Sequence, residues 1–241
     1  MIMSGISAGN MHPNLPWDEV NPQAQFDAFC NDNKIDSSTV IGIRVNPSWT
    51  DGARIATDVS PNVIPGSVNC DERQQAHALV VPKNIGVFML TADCHPLVIS
   101  GSEHHAVAHV SWRSVDGNLI GMLVDKLVDI GYEPQSLSAH LGAGIGKESN
   151  VRLVDETEQL LSDNNNTFWS NFAHHVTQET VQIDLPGAIV EQMKQSGIPH
   201  TGISLDERDT FSDPYLFSRR ASLQEGLKPR GNQAFIAPAV V

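Results

Sequence analysis

Residues 86–92 read Gly-Val-Phe-Met-Leu-Thr-Ala, an apolar run with no polar alternation. Such a run suits a short strand covered on both faces and is a poor fit to one with a wet side. The run is cut by Asp93, Cys94 and His95 and resumes as Pro-Leu-Val-Ile-Ser before the turn Gly-Ser-Glu-His-His. An acid, a thiol and an imidazole therefore interrupt the most buried part of the chain. Beyond the turn, Ala106–Trp112 alternates, with Val107, His109 and Ser111 on one face and Ala106, Ala108 and Val110 on the other. If the strands pair across the Gly101–Ser102 turn, Cys94 and His109 come to the same end of the sheet.

Around this centre the pattern alternates strand with helix. Residues 24–30 predict a short helix, and 40–45 (VIGIRV) and His77–Val81 predict strands. The Pro-, Asn-, Asp- and Gly-rich stretch from Ser48 to Gln75 predicts loop with short strands. Leu119, Ile120, Leu123, Val124, Leu127 and Val128 recur at helical spacing and predict one helix over 116–130, stopped by Gly131. The segment SLSAHLGAGIG predicts a strand entering a glycine-rich turn. Further helices are expected at 151–162 and at 186–196, where Pro186 falls in the first turn. Residues 163–180 predict irregular chain, and AFIAP a closing strand. The first dozen residues are expected to be loosely held. With no repeat and no linker, 1–241 reads as one mixed-sheet α/β domain.

The formal net charge is −13. That argues against a general nucleic-acid binder and against attachment to anionic lipid, both of which need a basic face. It leaves room for a small anionic substrate at a local arginine cluster. The start of the chain has no secretory pattern, and no window is apolar enough for a membrane span. The three cysteines Cys30, Cys70 and Cys94 are widely spaced and suggest neither a disulfide framework nor a zinc knuckle. A cytoplasmic protein is the economical expectation, with the oligomeric state open.

Cys94 beside His109 has two chemical uses. The imidazole can keep the thiol deprotonated as a nucleophile, or both can ligate a transition metal that keeps an open position. A small buried thiol and a hydrogen-bonded strand histidine are the plain alternative. The LGAGIG turn can place N–H groups around a phosphate or serve as a structural strand-to-helix turn. Arg113, Arg219 and Arg220 can pair with an oxyanion or lie on the surface. His104–His105 and His174–His175 read as solvated, and Trp112 as core packing.

The segments TADCHPLVI, AVAHVSWRSVDGNLIGMLVDKL and HLGAGIGKESNVRLVDE, in that order, resemble three consecutive motifs of the laccase-domain (YfiH-type, multicopper polyphenol oxidoreductase) family. HALVV, DTFSDPYLFSRRAS and RGNQAFIAP resemble its flanking motifs. The resemblance implies a single-domain mixed α/β fold of the YfiH or cytotoxic-necrotizing-factor-like type. It also implies a metal centre of two His and one Cys, with zinc expected and copper the softer expectation. The implied activity is phosphorolysis of adenosine or inosine, with adenosine deamination at the same site. The substrates are then a purine nucleoside and phosphate. By position, Cys94 and His109 match metal ligands. Asp93 matches a residue for proton transfer or ligand orientation, and Arg113 with Gly142, Gly144, Gly146, Arg219 and Arg220 would handle phosphate.

The chain departs from the pattern at the first ligand. Asn46 stands where the family has His, His77 replaces an Asp, and His95 follows the Cys. Ser111 and Ser114 replace glycines. No counterpart of the family's Ser-Thr-Arg-x-Gly-Gly element is found near the start. Either His77 or His95 rebuilds a His-Cys-His site, with Cys94, His109 and His77 as the expected set, or the metal is weakened or lost. The alternatives to a metal-dependent nucleoside enzyme are a metal-free cysteine hydrolase or deamidase using Cys94 and His109, and a non-catalytic relative.

Overall fold

The computed structural model describes residues 2–3, 21–46, 53–155, 157, 168–226, 231–237 and 239. Its first strands are β1 (Ile2–Met3), β2 (Val40–Arg44), β3 (Ile55–Ala56), β4 (Gln74–Gln75) and β5 (Ala78–Pro82). The central strands are β6 (Gly86–Thr91), β7 (His95–Ser100), β8 (His104–Val110) and β9 (Ser138–Leu141). The remainder are β10 (Val151–Leu153), β11 (Ala173–His175), β12 (Thr180–Ile183), β13 (Ile203–Leu205) and β14 (Gln233–Ala237). The helices are α1 (Pro22–Asp32), α2 (Trp112–Asp116), α3 (Leu119–Asp129), α4 (Leu185–Gln195) and α5 (Arg219–Gln224).

Two mixed sheets stack face to face. One has the order β1-β14-β6-β2-β4, the other β13-β9-β7-β8-β5-β3, and a small sheet β10-β12-β11 stands apart. Ile41, Ile43, Val87, Met89 and Phe235 of the first sheet meet Leu79, Val81, Val98 and Val107 of the second. The outer face of the first sheet is covered by Phe26, Phe29 and Cys30 of α1. The outer face of the second is covered by α3 and α4. The layers thus run helix, sheet, sheet, helix, and every residue of β6 is buried. That arrangement is why β6 carries no polar alternation.

Strand β7 pairs antiparallel with β8, placing Pro96 opposite His109 and Ser100 opposite His105. The hairpin expected across Gly101–Ser102 is formed. In α3, Leu119, Ile120, Leu123, Val124 and Leu127 are buried at helical spacing; each such side chain contributes about 1.5–3 kcal/mol.

The structure redraws several sequence boundaries. Strand β8 ends at Val110, and the side chain of Ser111 then caps α2 by accepting from Ser114 N. The helix expected over 116–130 is two helices, because Asn118 takes a left-handed φ of 53° between them. Residues 151–153, expected to be helical, form β10 and pair with β12. β-branched Val151 opposite Gln182 suits a strand. Part of the stretch read as irregular is β11, also paired with β12; residues 163–167 lie outside the described residues. Of the first dozen residues, Ile2–Met3 pairs with Phe235–Ile236, and 4–12 lie outside the described residues. Helix α1 reaches beyond 24–30 because the Asn21 side chain accepts from Gln23 N and Pro22 opens the first turn.

Candidate functional site

Three strand ends meet at one edge of the six-stranded sheet. Cys94 immediately precedes β7, and His109 lies one residue from the end of β8. His77 immediately precedes β5, where its carbonyl accepts from His109 N at 2.9 Å. His109 alternates in phase with Val107 and His77 with Leu79, so both face the space between the two sheets. Cys94 and His109 are half-buried and His77 is buried.

Asp93 ties this edge to the C-terminal part of the chain. Its Oδ1 accepts from Thr210 Oγ1 at 3.0 Å and from Ser218 Oγ at 2.7 Å. Its Oδ2 accepts from Arg220 N at 2.9 Å, in the first turn of α5. Its carbonyl accepts from Ile145 N at 2.8 Å. A carboxylate with three donors is held in one orientation.

The Gly142–Gly146 turn is built against the same edge. Gly142 N donates to Pro96 O at 2.8 Å, and Gly146 N to Asp209 Oδ1 at 2.8 Å. With Ile145 N on Asp93, three amides of the turn are engaged inside the protein rather than offered to a phosphate. The glycines serve close packing instead. A Cβ on Gly144 would stand 2.5 Å from the His95 ring, and one on Gly142 would stand 2.6 Å from Pro96 Cγ. His95 itself is buried, with Nδ1 3.1 Å from Gly142 O and Nε2 3.2 Å from Ile145 O. Both ring nitrogens thus face carbonyl groups of the turn, and burial lowers the affinity of the ring for a second proton, so the neutral ring donates to one of the two. Burial pushes the Asp209 carboxyl up, but donation from Gly146 N, Ser149, Phe211 N and Ser212 outweighs it and holds the group below the ordinary carboxylate value.

The electrostatics of Cys94 and His109 favour neutral forms. Burial first, and then the Asp93 carboxylate, push the Cys94 thiol up to about 11, against the pull of Arg152, Arg219 and Arg113. Burial, reinforced by His77, pushes His109 down to about 4. No hydrogen bond joins the two side chains. A thiolate–imidazolium nucleophile is therefore not poised here. The His109 Nδ1 atom is buried without a hydrogen-bond partner, a condition that costs about 1–3 kcal/mol and suits an atom awaiting a ligand.

A metal centre of the expected kind needs three strong donors. Cys94 and His109 are two, and the orphaned His109 nitrogen is compatible with that role. Asn46, half-buried just beyond β2, offers a neutral amide. His77 turns its Nδ1 to accept from Arg54 N at 3.1 Å. Among the described residues no group of three His, Cys, Asp or Glu side chains stands close enough to hold a metal ion. The expected set of Cys94, His109 and His77 thus shares an edge without forming a three-donor centre, and the residues present do not fit the metal.

The arginines divide by what they touch. Arg113 is exposed, its guanidinium stacked 4.3 Å from the centre of the Trp112 ring. Arg219 is exposed at the start of α5. Arg220 instead donates to the Val151 carbonyl at 2.5 Å, bracing β10 rather than facing the site. Arg152, on β10, was not singled out by sequence, because its segment reads as helix. Its Nε donates to Asn150 Oδ1 at 3.1 Å. The positive charges of Arg152, Arg219 and Arg113 each pull the Cys94 thiol down without offsetting burial and Asp93.

Over 147 residues the chain is 24% identical to a purine nucleoside phosphorylase of Mycobacterium tuberculosis (strain ATCC 25618 / H37Rv), covering 59% of this chain and 55% of that protein. It is 33% identical over 57 residues to a purine nucleoside phosphorylase of Deinococcus radiodurans, covering 23% and 22%. The chain spans about half the length of the mycobacterial relative it matches. Its fold is similar to that of the hypothetical protein YfiH of Bacillus licheniformis, with a TM-score of 0.79 at 17% identity over 94% of this chain and 84% of that one. It is similar also to YlmD of Geobacillus stearothermophilus, with a TM-score of 0.77 at 17% identity over 96% and 85%. The family described as multi-copper polyphenol oxidoreductase laccase matches residues 57–236, three-quarters of the chain and all three central motifs, and the chain belongs to that family.

Proposed function

We propose that this protein cleaves purine nucleosides with phosphate as co-substrate, at the sheet edge that carries Cys94 and His109. The observation that carries the reading is that Arg152, Arg219 and Arg113 each act electrostatically on Cys94 in an otherwise acidic chain. Guanidinium groups match the geometry of a phosphate dianion, and a fixed positive cluster favours the charge of attacking phosphate. The names of the mycobacterial and deinococcal relatives point to the same reaction. In it, a phosphate oxygen bonds to the ribose C1′ as the C1′–N bond breaks, and the departing purine takes up a proton from water. His109, neutral and with an orphaned Nδ1, supplies a hydrogen-bonding position for the nucleoside. Asp93 holds α5, and with it Arg219, against the site. No step is assigned to zinc or copper, because the third donor is missing.

The test is incubation of the protein with inosine or adenosine, with and without phosphate, followed by chromatography of the products. Free base and ribose 1-phosphate, formed only with phosphate, are expected. No base release, or release indifferent to phosphate, would sink the proposal.

Asn46 favours a second reading, in which loss of the ligand leaves a relative that binds nucleoside without turning it over. Under it, calorimetry detects inosine binding while the turnover assay stays blank. The cysteine-hydrolase alternative is disfavoured by the elevated Cys94 thiol.

A further inference from the structure

Asn150, between the glycine turn and β10, is fully buried. Both ends of its amide are used. Its Nδ2 donates to Ile183 O of β12 at 3.2 Å, and its Oδ1 accepts from Arg152 Nε at 3.1 Å. Because a carbonyl only accepts and a guanidinium only donates, the amide is locked in one orientation. Asn150 and Arg152 are two apart in the stretch that pairs with β12, so they share one face of the small sheet. Their β12 neighbours on that face are Ile183 and Val181, both buried in the core. Arg152 therefore leaves β10 on the inner side of the sheet, where it is half-buried and its charge is felt at Cys94. The main chain between the two residues is held as well. Arg220 Nη1 donates to Val151 O, and Ile183 N donates to Asn150 O at 3.0 Å.

We propose that Asn150 is a positioning residue, which aims the Arg152 guanidinium at the phosphate of the nucleoside reaction. This role rests on the phosphate reading of the sheet edge given above. An arginine side chain has several rotatable bonds, and its value to a phosphate lies in the direction of its planar fork. A hydrogen bond at Nε fixes the plane of the group and with it the direction of both Nη atoms. A carboxylate at position 150 would orient the guanidinium too, but it would cancel the charge that an anion needs. The neutral amide orients the group and leaves its charge standing. Its second bond, to Ile183 O, ties that orientation to β12 and so to the core.

The experiment titrates inorganic phosphate by calorimetry into the full chain and into Asn150→Ala, Arg152→Ala and the double variant, each checked for folding by circular dichroism. Each single variant is expected to bind phosphate about tenfold more weakly than the unmodified protein, and the double variant no more weakly than Arg152→Ala. A packing role for Asn150 would instead add its own loss in the Arg152→Ala background. If Asn150→Ala does not fold, Arg152→Lys decides. That variant keeps the charge and the Asn150–Ile183 bond, lacks the Nε–H that Asn150 holds, and should bind about as weakly as Arg152→Ala. Unchanged affinity in folded Asn150→Ala or in Arg152→Lys, or a further loss in the double variant, would overturn the positioning role and leave the phosphate site standing. An unmodified protein that binds no phosphate would overturn both.

Discussion

The two sides of the candidate site differ in how they are held. On the β6–β7–β8 side, Asp93, Cys94, His109 and the glycine turn match the family motifs, and Asp93 is tied by main chain and carboxylate to Ile145, Thr210, Ser218 and Arg220. On the side formed by the end of β2 and the start of β5, Asn46 offers a neutral amide, and His77 is drawn to Arg54 N. The difference separates architecture from ligation. Asp93 is anchored to residues more than a hundred positions away, so changing it would loosen several elements at once. Asn46 lies just past a strand end, where a change of side chain alters the chemistry and leaves the fold standing.

The sharpest way to break this comparison is to attack the anchored side. Asp93→Ala strands the donors Thr210, Ser218 and Arg220 N, and should cost about 3–5 kcal/mol in urea unfolding. A loss under about 1 kcal/mol would show that the carboxylate is not the tie described here. The other side should be permissive. Asn46→His restores the third donor and should tighten zinc binding on the order of a hundredfold or more, with little change in melting temperature. Unchanged zinc affinity would mean that position 46 does not face Cys94 and His109.

The thiol itself separates the two readings of Cys94. With its pKa raised from 9.0 to about 11, the reactive anion at pH 8 is roughly a hundredfold scarcer than for an ordinary cysteine. Alkylation of Cys94 by iodoacetamide should therefore be slow at neutral pH and rise about tenfold per pH unit up to about pH 11. Rapid labelling at pH 7 would bring the cysteine-hydrolase alternative back. Smaller effects are expected at the rim. Arg152→Ala should raise KM for phosphate about tenfold with the fold intact. At the exposed Lys126–Asp129 pair, 3.2 Å apart, Lys126→Ala should change stability by less than about 0.5 kcal/mol.

The sequence carried the centre of the molecule well. Uninterrupted apolarity in β6 follows from burial on both faces, and the β7–β8 hairpin follows from alternation and a turn, so both are local properties of the chain. What escaped is set by tertiary contact. Arg152 belongs to a strand that exists because β12 pairs with it, and its short segment is equally compatible with a helix. Gly142, Gly144 and Gly146 look like an anion cradle until their partners are known, and the partners are Pro96, His95 and Asp209. Likewise His95 reads as a spare ligand next to Cys94, whereas in the fold both of its nitrogens face carbonyl groups. The anchoring of Asp93 by Thr210 and Ser218 has no sequence signal, because single hydroxyls distant in the chain announce nothing.

The central claim is that the arginines acting on Cys94 form a phosphate site, and equilibrium titration of inorganic phosphate by calorimetry tests it most directly. The wild-type protein should bind one phosphate, and the Arg113→Ala/Arg152→Ala/Arg219→Ala variant should lose that binding by at least roughly a hundredfold while keeping its melting transition. No phosphate binding by the wild type, or equal binding by a folded triple variant, would contradict it.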